Sequence, residues 1–139
     1  MIKTRVLFLC TGNSCRTQMA EGFLRDLGGD HFEVISAGDQ VAALDPEAVD
    51  AMRELGIDIS SQTAKSVDPY LKQRFSYVIS LCDRQKERSC PIFPGAIWRA
   101  NWDVDNPATA QSAEEHRWLV RRVRDQIREQ VVAFVNEQK

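Results

Sequence analysis

The chain of 139 residues has no apolar run long enough to cross a bilayer and no surplus of positive charge. Its longest apolar segment near the start, residues 6–10, has the length of one β-strand. The formal net charge of -2 argues against general nucleic-acid binding, because no excess of Lys and Arg is left to neutralise phosphates. The start of the chain also lacks the features of a secretion signal. We therefore expect a cytoplasmic protein that binds neither membranes nor nucleic acids.

Cysteine and histidine are scarce. The chain has only Cys10, Cys15, Cys82, Cys90, His31 and His116. In a reducing cytosol, cysteines indicate catalysis, redox exchange or metal binding rather than structural disulfides. No Cys-x2-Cys pair occurs and no histidine lies near a cysteine in sequence, so no zinc or other metal site is predicted. Both histidines are expected at the surface.

The sequence predicts one α/β domain over residues 1–139, since it contains no repeat, linker or low-complexity tract. Apolar strands alternate with amphipathic helices, which is typical of a parallel sheet with right-handed crossovers. The predicted strands are residues 4–9, 32–37, 76–81 and 97–102. The predicted helices run from near Cys15 to Gly28, from Pro46 to Leu55, from Pro69 to about Phe75, and onward from Ala113.

Two of these helices have clear start signals. Asp45 followed by Pro46 predicts an acidic N-cap with proline at the first helical position. Ser112 and Glu115 fit a capping box for the last helix. That helix carries one apolar stripe, which we expect to be core: Leu119, Val123, Ile127, Val131 and Phe134.

The segment between the first strand and the first helix has the composition of an oxyanion-binding loop. Gly12 and Asn13 tolerate a positive φ, so the loop can curl with its N–H groups inward. The helix N-terminus adds partial positive charge, and the Arg16 guanidinium can bind two oxygens at once. The same field favours a thiolate at Cys10, the predicted nucleophile. The predicted substrate-binding residues are Thr11, Gly12, Asn13, Ser14, Cys15, Arg16 and Thr17.

The alternative is a structural cysteine in a strand-to-helix turn, which would leave Arg16 beside an apolar turn without an anion. A second cysteine, Cys82, also ends a predicted strand, and adjacent central strands would bring it to the same sheet edge as Cys10. Seven residues separate Cys82 from Cys90, and a disulfide can join them if that segment bends. The other interpretation is a buried strand-end Cys82 and an unrelated Cys90.

The residues from Cys10 to Arg16, followed by Gln18-Met-Ala-Glu-Gly22, resemble the thioredoxin-coupled arsenate reductases of the low-molecular-weight protein tyrosine phosphatase superfamily. Further matching segments are Ser36-Ala-Gly38, Gly56-Ile-Asp-Ile-Ser60, Leu81-Cys82, Cys90-Pro91 and Val123-Arg-Asp125. The resemblance covers essentially the whole chain. It implies a four-stranded parallel sheet of order 2-1-3-4 flanked by helices.

The resemblance also implies a three-cysteine mechanism. Cys10 attacks arsenate, Cys82 attacks Cys10 as arsenite leaves, and Cys90 attacks Cys82. Thioredoxin would be the external reductant, with no bound cofactor, and a monomer is the default expectation. Cys15 lies outside this relay, as packing or in a side disulfide. The alternative function is a phosphatase that uses only Cys10 and Arg16; the pair Cys82 and Cys90 favours the reductase.

Two departures from the family pattern matter for the site. The family's general acid is an aspartate immediately before proline, where this chain has Asn106 before Pro107. We take the neighbouring Asp105 as the acid, provided the loop shifts; the alternative is that Asp105 only forms an Asx-turn.

The second departure concerns a cation. Some family members bind potassium with the residues matching Asn13, Glu21 and Ser36 and with an aspartate at the position of Lys65. Our hypothesis is that Lys65 pairs with Glu21 and replaces that ion.

Overall fold

The computed structural model describes residues 3–82 and 93–138. Its strands are β1 (Thr4–Cys10), β2 (Phe32–Gly38), β3 (Phe75–Ser80) and β4 (Ala96–Asn101). Its helices are α1 (Arg16–Gly28), α2 (Pro46–Arg53) and α3 (Ala113–Glu137). Short 3-10 turns cover Gly29–His31, Asp68–Tyr70 and Pro107–Thr109. Each predicted strand agrees with an observed strand to within one residue at either end.

All neighbouring strands pair in parallel, in the order β2-β1-β3-β4. This confirms the predicted order 2-1-3-4. The central strand β1 pairs with β3 up to Leu9 opposite Ser80, and the Leu81 N–H then donates to the Leu9 carbonyl at 2.9 Å. The carboxyl ends of β1 and β3 therefore lie side by side, as predicted for Cys10 and Cys82, at the edge where such sheets bind ligands.

Helices and loops cover both faces of β1. Its residues from Val6 to Cys10 are all buried, which explains why the strand is apolar without alternation. On one face Val6 and Phe8 pack against α1 and α3. The predicted stripe of α3 is buried from Leu119 to Phe134, and its residues from Val123 onward belong to this same cluster.

Helix ends follow the local sequence signals. Asp45 Oδ1 accepts the Glu47 N–H at 2.9 Å, and Ser112 Oγ accepts the Glu115 N–H at 3.0 Å, so both predicted caps are confirmed. The helix predicted to reach Phe75 is only the single turn Asp68–Tyr70, because the Phe75 N–H bonds to the Gly95 carbonyl as β3 begins. Within the described ranges, no helix combines the length and the apolar character needed to cross a membrane.

Candidate active site

The loop between β1 and α1 holds its carbonyl groups away from its own centre. Three backbone bonds link the carbonyls of Thr11, Gly12 and Ser14 to the N–H groups of Gln40, Ala42 and Asp45, at 2.9, 2.9 and 2.8 Å. The Asn13 carbonyl accepts from Gln18 Nε2 at 2.9 Å, and Asn13 has a φ of 51°. With the carbonyls satisfied on the outer side, the main chain turns its N–H groups toward the centre, which is the arrangement that binds anions.

The Cys10 sulfur lies within this loop and receives two polar contacts. The Asn13 N–H donates to Cys10 Sγ at 3.2 Å, and Thr17 Oγ1 lies 3.1 Å from the same sulfur. Because Thr17 Oγ1 already accepts from Asn13 Nδ2 at 2.9 Å, its own hydrogen can point to the sulfur. Hydrogen bonds of this kind stabilise a thiolate, the reactive form of cysteine.

The orientation of Asn13 is fixed by its neighbours. Its Oδ1 accepts from the Lys65 backbone N–H at 2.7 Å and from Gln18 Nε2 at 3.0 Å, so Nδ2 must face Thr17. The loop also packs against the end of β2 at Gly38, where a Cβ atom would lie 2.5 Å from the Thr11 carbonyl oxygen. Only glycine permits this close approach.

A cavity of about 250 Å³ opens above the loop. It is lined by Cys10, Thr11, Gly12, Ser14, Cys15, Arg16, Ala42, Asp45, Asn106, Pro107, Ala108 and His116. Five of the seven predicted substrate-binding positions therefore line it together with Cys10. The other two, Asn13 and Thr17, are fully buried and contact the Cys10 sulfur through the Asn13 N–H and the Thr17 hydroxyl.

At the position of the family's acid, Asn106 lines the cavity and Asp105 does not. Asp105 Oδ2 lies 3.2 Å from the Arg122 guanidinium of α3. Asn106 Oδ1 accepts the Ala108 N–H at 3.0 Å, so the Asx-turn considered for Asp105 is formed by Asn106. In this arrangement Asp105 reaches the cavity only if the segment shifts.

Two titratable residues of the cavity were missed by the sequence reasoning. Asp45 was predicted only as a helix cap, and His116 was assigned to the surface, which is wrong. The His116 side chain is 28% exposed, with Nε2 2.7 Å from Asp45 Oδ2. No signal in the sequence pairs them, because 71 positions separate them. His31, by contrast, is exposed as predicted.

The remaining cysteines differ in state. Cys15 is buried at the cavity, and burial first, then the negative charge of Asp45, raises the pKa of its thiol far above the ordinary value. Cys15 is therefore a protonated thiol at neutral pH. Cys82 is fully buried and disulfide-bonded, whereas Cys10 and Cys15 are free. Cys90 lies outside the described residues.

Beside the loop, Glu21 is almost completely buried and paired with cations. Its Oε1 accepts from Ser36 Oγ at 2.5 Å and lies 3.5 Å from Lys65 Nζ, and its Oε2 lies 2.7 Å from Arg25 Nη2. The predicted contact between Lys65 and Glu21 is therefore confirmed. Two cationic side chains already balance this carboxylate, so these residues do not fit a potassium ion.

Known proteins resemble the chain over its whole length. The model of the low molecular weight phosphotyrosine protein phosphatase family matches residues 5–139. The arsenate reductases of Bacillus licheniformis and Bacillus subtilis are 46% and 43% identical over 135 residues, covering 96% of this chain and 96% of theirs. A solved arsenate reductase in the phosphate binding state is 34% identical with a TM-score of 0.79, covering 96% of this chain and 98% of its own.

The loop around Cys10, the parallel sheet and these matches agree, and the chain belongs to the low molecular weight phosphotyrosine protein phosphatase family. Within that family its relatives include many arsenate reductases, which confirms the resemblance inferred from the loop motif and the paired cysteines.

Proposed function

We propose that the chain is an arsenate reductase that converts arsenate to arsenite through Cys10, Cys82 and Cys90 and is re-reduced by thioredoxin. The observation that carries the proposal is the placement of the Cys10 sulfur inside a loop whose carbonyls from Thr11 to Ser14 are bonded on the outer side, next to the end of β3 that leads to Cys82. Arsenate, like phosphate, is a tetrahedral oxyanion that N–H groups and the Arg16 fork can bind.

The first step forms a bond between Cys10 Sγ and arsenic while one arsenate oxygen leaves as water, with a proton from a general acid. Asp105 is our candidate for that acid and needs a shift of the segment that now pairs it with Arg122. Cys82 then attacks Cys10 Sγ. The disulfide forms, the sulfur–arsenic bond breaks with its electron pair on arsenic, and arsenite leaves.

In the third step Cys90 attacks Cys82, which releases Cys10 and leaves a disulfide between Cys82 and Cys90. A structure with Cys82 disulfide-bonded and Cys10 free agrees with the state that follows this step. A dithiol of thioredoxin then reduces that disulfide, so the proposed reaction needs no bound cofactor. The proposal takes the default oligomeric state, a monomer.

The test is arsenate-dependent NADPH consumption with thioredoxin and thioredoxin reductase. Cys10→Ser, Cys82→Ser and Cys90→Ser should each abolish steady-state turnover, and Cys15→Ser is the matched control that should not. After one arsenate turnover, the Cys90→Ser protein should hold a disulfide between Cys10 and Cys82, visible by peptide mapping. Equal steady-state turnover of Cys90→Ser and the unaltered protein would remove Cys90 from the mechanism.

The second candidate is a phosphomonoesterase that uses Cys10 and Arg16 alone, which the family match favours. The same loop fits phosphate, and such a reaction involves neither Cys82 nor Cys90. Hydrolysis of an aryl phosphate that survives Cys82→Ser and Cys90→Ser, without any arsenate-dependent NADPH consumption by the unaltered protein, would replace the reductase by this function.

A further inference from the structure

His116 joins two segments that line the cavity. Its Nε2 lies 2.7 Å from Asp45 Oδ2, at the start of α2, and its Nδ1 lies 3.0 Å from the Pro107 carbonyl oxygen. A carboxylate and a carbonyl only accept hydrogen bonds, whereas a neutral imidazole has a single N–H. With Asp45 as a carboxylate, both bonds therefore form at once only when His116 is an imidazolium cation.

The charge of His116 matters as much as its two bonds. Asp45 lines the same cavity as Cys10 and Arg16, and its side chain is only 16% exposed. A carboxylate at the wall of an oxyanion site repels the ligand, and it does so most strongly where water is scarce. The imidazolium of His116 neutralises that carboxylate, so the cavity keeps the positive character that Arg16 and the loop provide.

Other charged groups around His116 do not replace it. From the oxyanion loop these are Cys10, Cys15 and Arg16; from the α2 side, Asp45 and Glu47; and from α3 itself, Glu115, Arg117 and Arg121. Glu47 is paired with Arg121 at 3.1 Å and with Arg117 at 3.7 Å. Among these groups, His116 is the cation that contacts Asp45.

The protonated form of His116 is favoured by its surroundings. Partial burial alone would lower the pKa of its ring, but the hydrogen bonds to Pro107 and Asp45, with the negative charges of Asp45 and Glu47, outweigh burial and raise the pKa above its ordinary value. The geometry and the electrostatics thus agree on a cationic bridge.

We propose that His116 is a positioning residue of the oxyanion site: as a cation it holds the segment that begins with Asn106 and Pro107 against Asp45 and cancels the Asp45 charge. Oxyanion binding therefore weakens when His116 loses its proton. The inference rests on the proposed function only in taking arsenate as the natural oxyanion. Any tetrahedral oxyanion bound in the cavity would meet the same Asp45 carboxylate and the same His116 cation.

Sulfate binding tests this inference without turnover. Sulfate keeps its charge over the pH range of histidine titration, and a Cys10→Ser background removes the Cys10 thiol from the measurement. By calorimetry, sulfate should bind this parent about three- to tenfold more weakly at about pH 9 than at about pH 6, the size of effect expected for one ordinary hydrogen bond. Adding His116→Gln should give weak binding at both pH values, and adding His31→Gln, the matched exposed control, should change nothing.

A second variant separates the bridge from general damage. In Asp45→Asn/His116→Gln, two amides can pair with each other while one also reaches Pro107, and an asparagine side chain at position 45 can still cap α2. This pair should restore binding and remove its pH dependence. A His116→Gln protein that binds sulfate like the parent at both pH values would overturn the proposal, as would a double variant as weak as His116→Gln.

An NMR titration of the His116 ring in the Cys10→Ser parent tests the inference without any further substitution. Both histidines are then intact, and no additional variant has to fold. By linkage, sulfate must raise the titration midpoint of His116, and an unchanged midpoint, or no sulfate binding at about pH 6, overturns the proposal. Neither measurement involves Cys82, Cys90 or thioredoxin. If sulfate binding and the His116 titration give the expected results but no arsenate-dependent NADPH consumption occurs, the reductase function is rejected and the role of His116 is retained.

Discussion

Lys65 Nζ lies 3.5 Å from Glu21 Oε1, on a carboxylate that is only 2% exposed. The backbone N–H of the same lysine donates to Asn13 Oδ1 at 2.7 Å, and Asn13 in turn contacts the Cys10 sulfur. Lys65 therefore both balances a buried charge and fixes the Asn13 side chain, whose Nδ2 donates to the Thr17 hydroxyl beside the Cys10 sulfur. We therefore propose that the Lys65 ammonium takes the place of the potassium ion that the family resemblance leads us to expect beside Glu21.

Potassium should therefore have no specific effect on this protein. We expect the free energy of unfolding in urea to be the same in potassium chloride and sodium chloride at equal ionic strength. Lys65→Gln should lower it by about 1–2 kcal/mol, because Glu21 loses one of its two cations. The exposed Lys72→Gln is the control and should stay within about 0.5 kcal/mol. A large stabilisation of the unaltered protein by potassium would contradict the replacement.

Thr17 should be needed for the reactivity of Cys10. Thr17→Val keeps the shape but removes the hydroxyl 3.1 Å from the sulfur and leaves Asn13 Nδ2 without its acceptor. Loss of a hydrogen bond to a charged group predicts a decrease of about ten- to a hundredfold in kcat/KM for arsenate. Alkylation of Cys10 at about pH 7 should slow as well. Thr17→Ser, which keeps the hydroxyl, should recover most of both rates; if Thr17→Val reacts as fast as Thr17→Ser, the hydroxyl has no such role.

Gly38→Ala should damage the oxyanion loop from the neighbouring strand. The new Cβ would meet the carbonyl oxygens of Thr11 and Cys10 at 2.5 and 3.0 Å, and these backbone atoms cannot turn aside. We expect a loss of about 2 kcal/mol or more in unfolding free energy and weaker oxyanion binding. Gly29→Ala is the matched control: its φ of 58° costs about 1 kcal/mol, but nothing lies within 4 Å and binding should not change. Equal binding by both variants would refute the role of Gly38.

The fold could be predicted from sequence because its strands, helix starts and turns depend mainly on residues that are neighbours in the chain. The unbroken apolar run of β1 indicated a buried central strand, Asp45 before Pro46 indicated a helix start, and the glycine and asparagine of the loop indicated its curl. The contact between His116 and Asp45 was not predictable in this way. A histidine near the start of an amphipathic helix has the same local sequence whether or not a carboxylate 71 positions away contacts it.

The position of the family's general acid also depends on contacts that the sequence does not reveal. The family pattern placed Asn106 where a carboxylate was expected, and the sequence offered only the adjacent Asp105 as a substitute. The tertiary structure adds the pairing of Asp105 with Arg122 and brings Asp45 to the cavity from another segment. Side-chain direction in an irregular segment depends on partners that are distant in sequence, so the one-letter code alone does not fix it.

Cys15 should be dispensable for catalysis although it lines the cavity. Burial and the charge of Asp45 raise the pKa of its thiol, so it does not become a nucleophile at neutral pH. Cys15→Ala should keep kcat/KM for arsenate within about threefold and lower the unfolding free energy by about 1 kcal/mol through lost packing. In the unaltered protein, peptide-mapped alkylation should label Cys10 well before Cys15. Preferential labelling of Cys15 would show that its thiol is reactive after all.

The protonation of His116 should also make the stability of the protein depend on pH. The pKa of its ring is raised in the folded state, so the native protein holds this proton more tightly than the unfolded chain does. The resulting stabilisation is fully present below the unfolded pKa of about 6.5 and is lost as the pH rises through the folded value. We therefore expect His116→Gln to be less stable than the unaltered protein by about 1 kcal/mol at about pH 5.5, with the difference shrinking toward higher pH.

Urea unfolding at about pH 5.5, 7 and 9 measures this difference in unfolding free energy. The exposed His31→Gln is the control, and its unfolding free energy should vary with pH in parallel with that of the unaltered protein. A gap between His116→Gln and the unaltered protein that grows as the pH rises has the opposite sign, and it would show that the bridge is stronger with a neutral ring than with a cation.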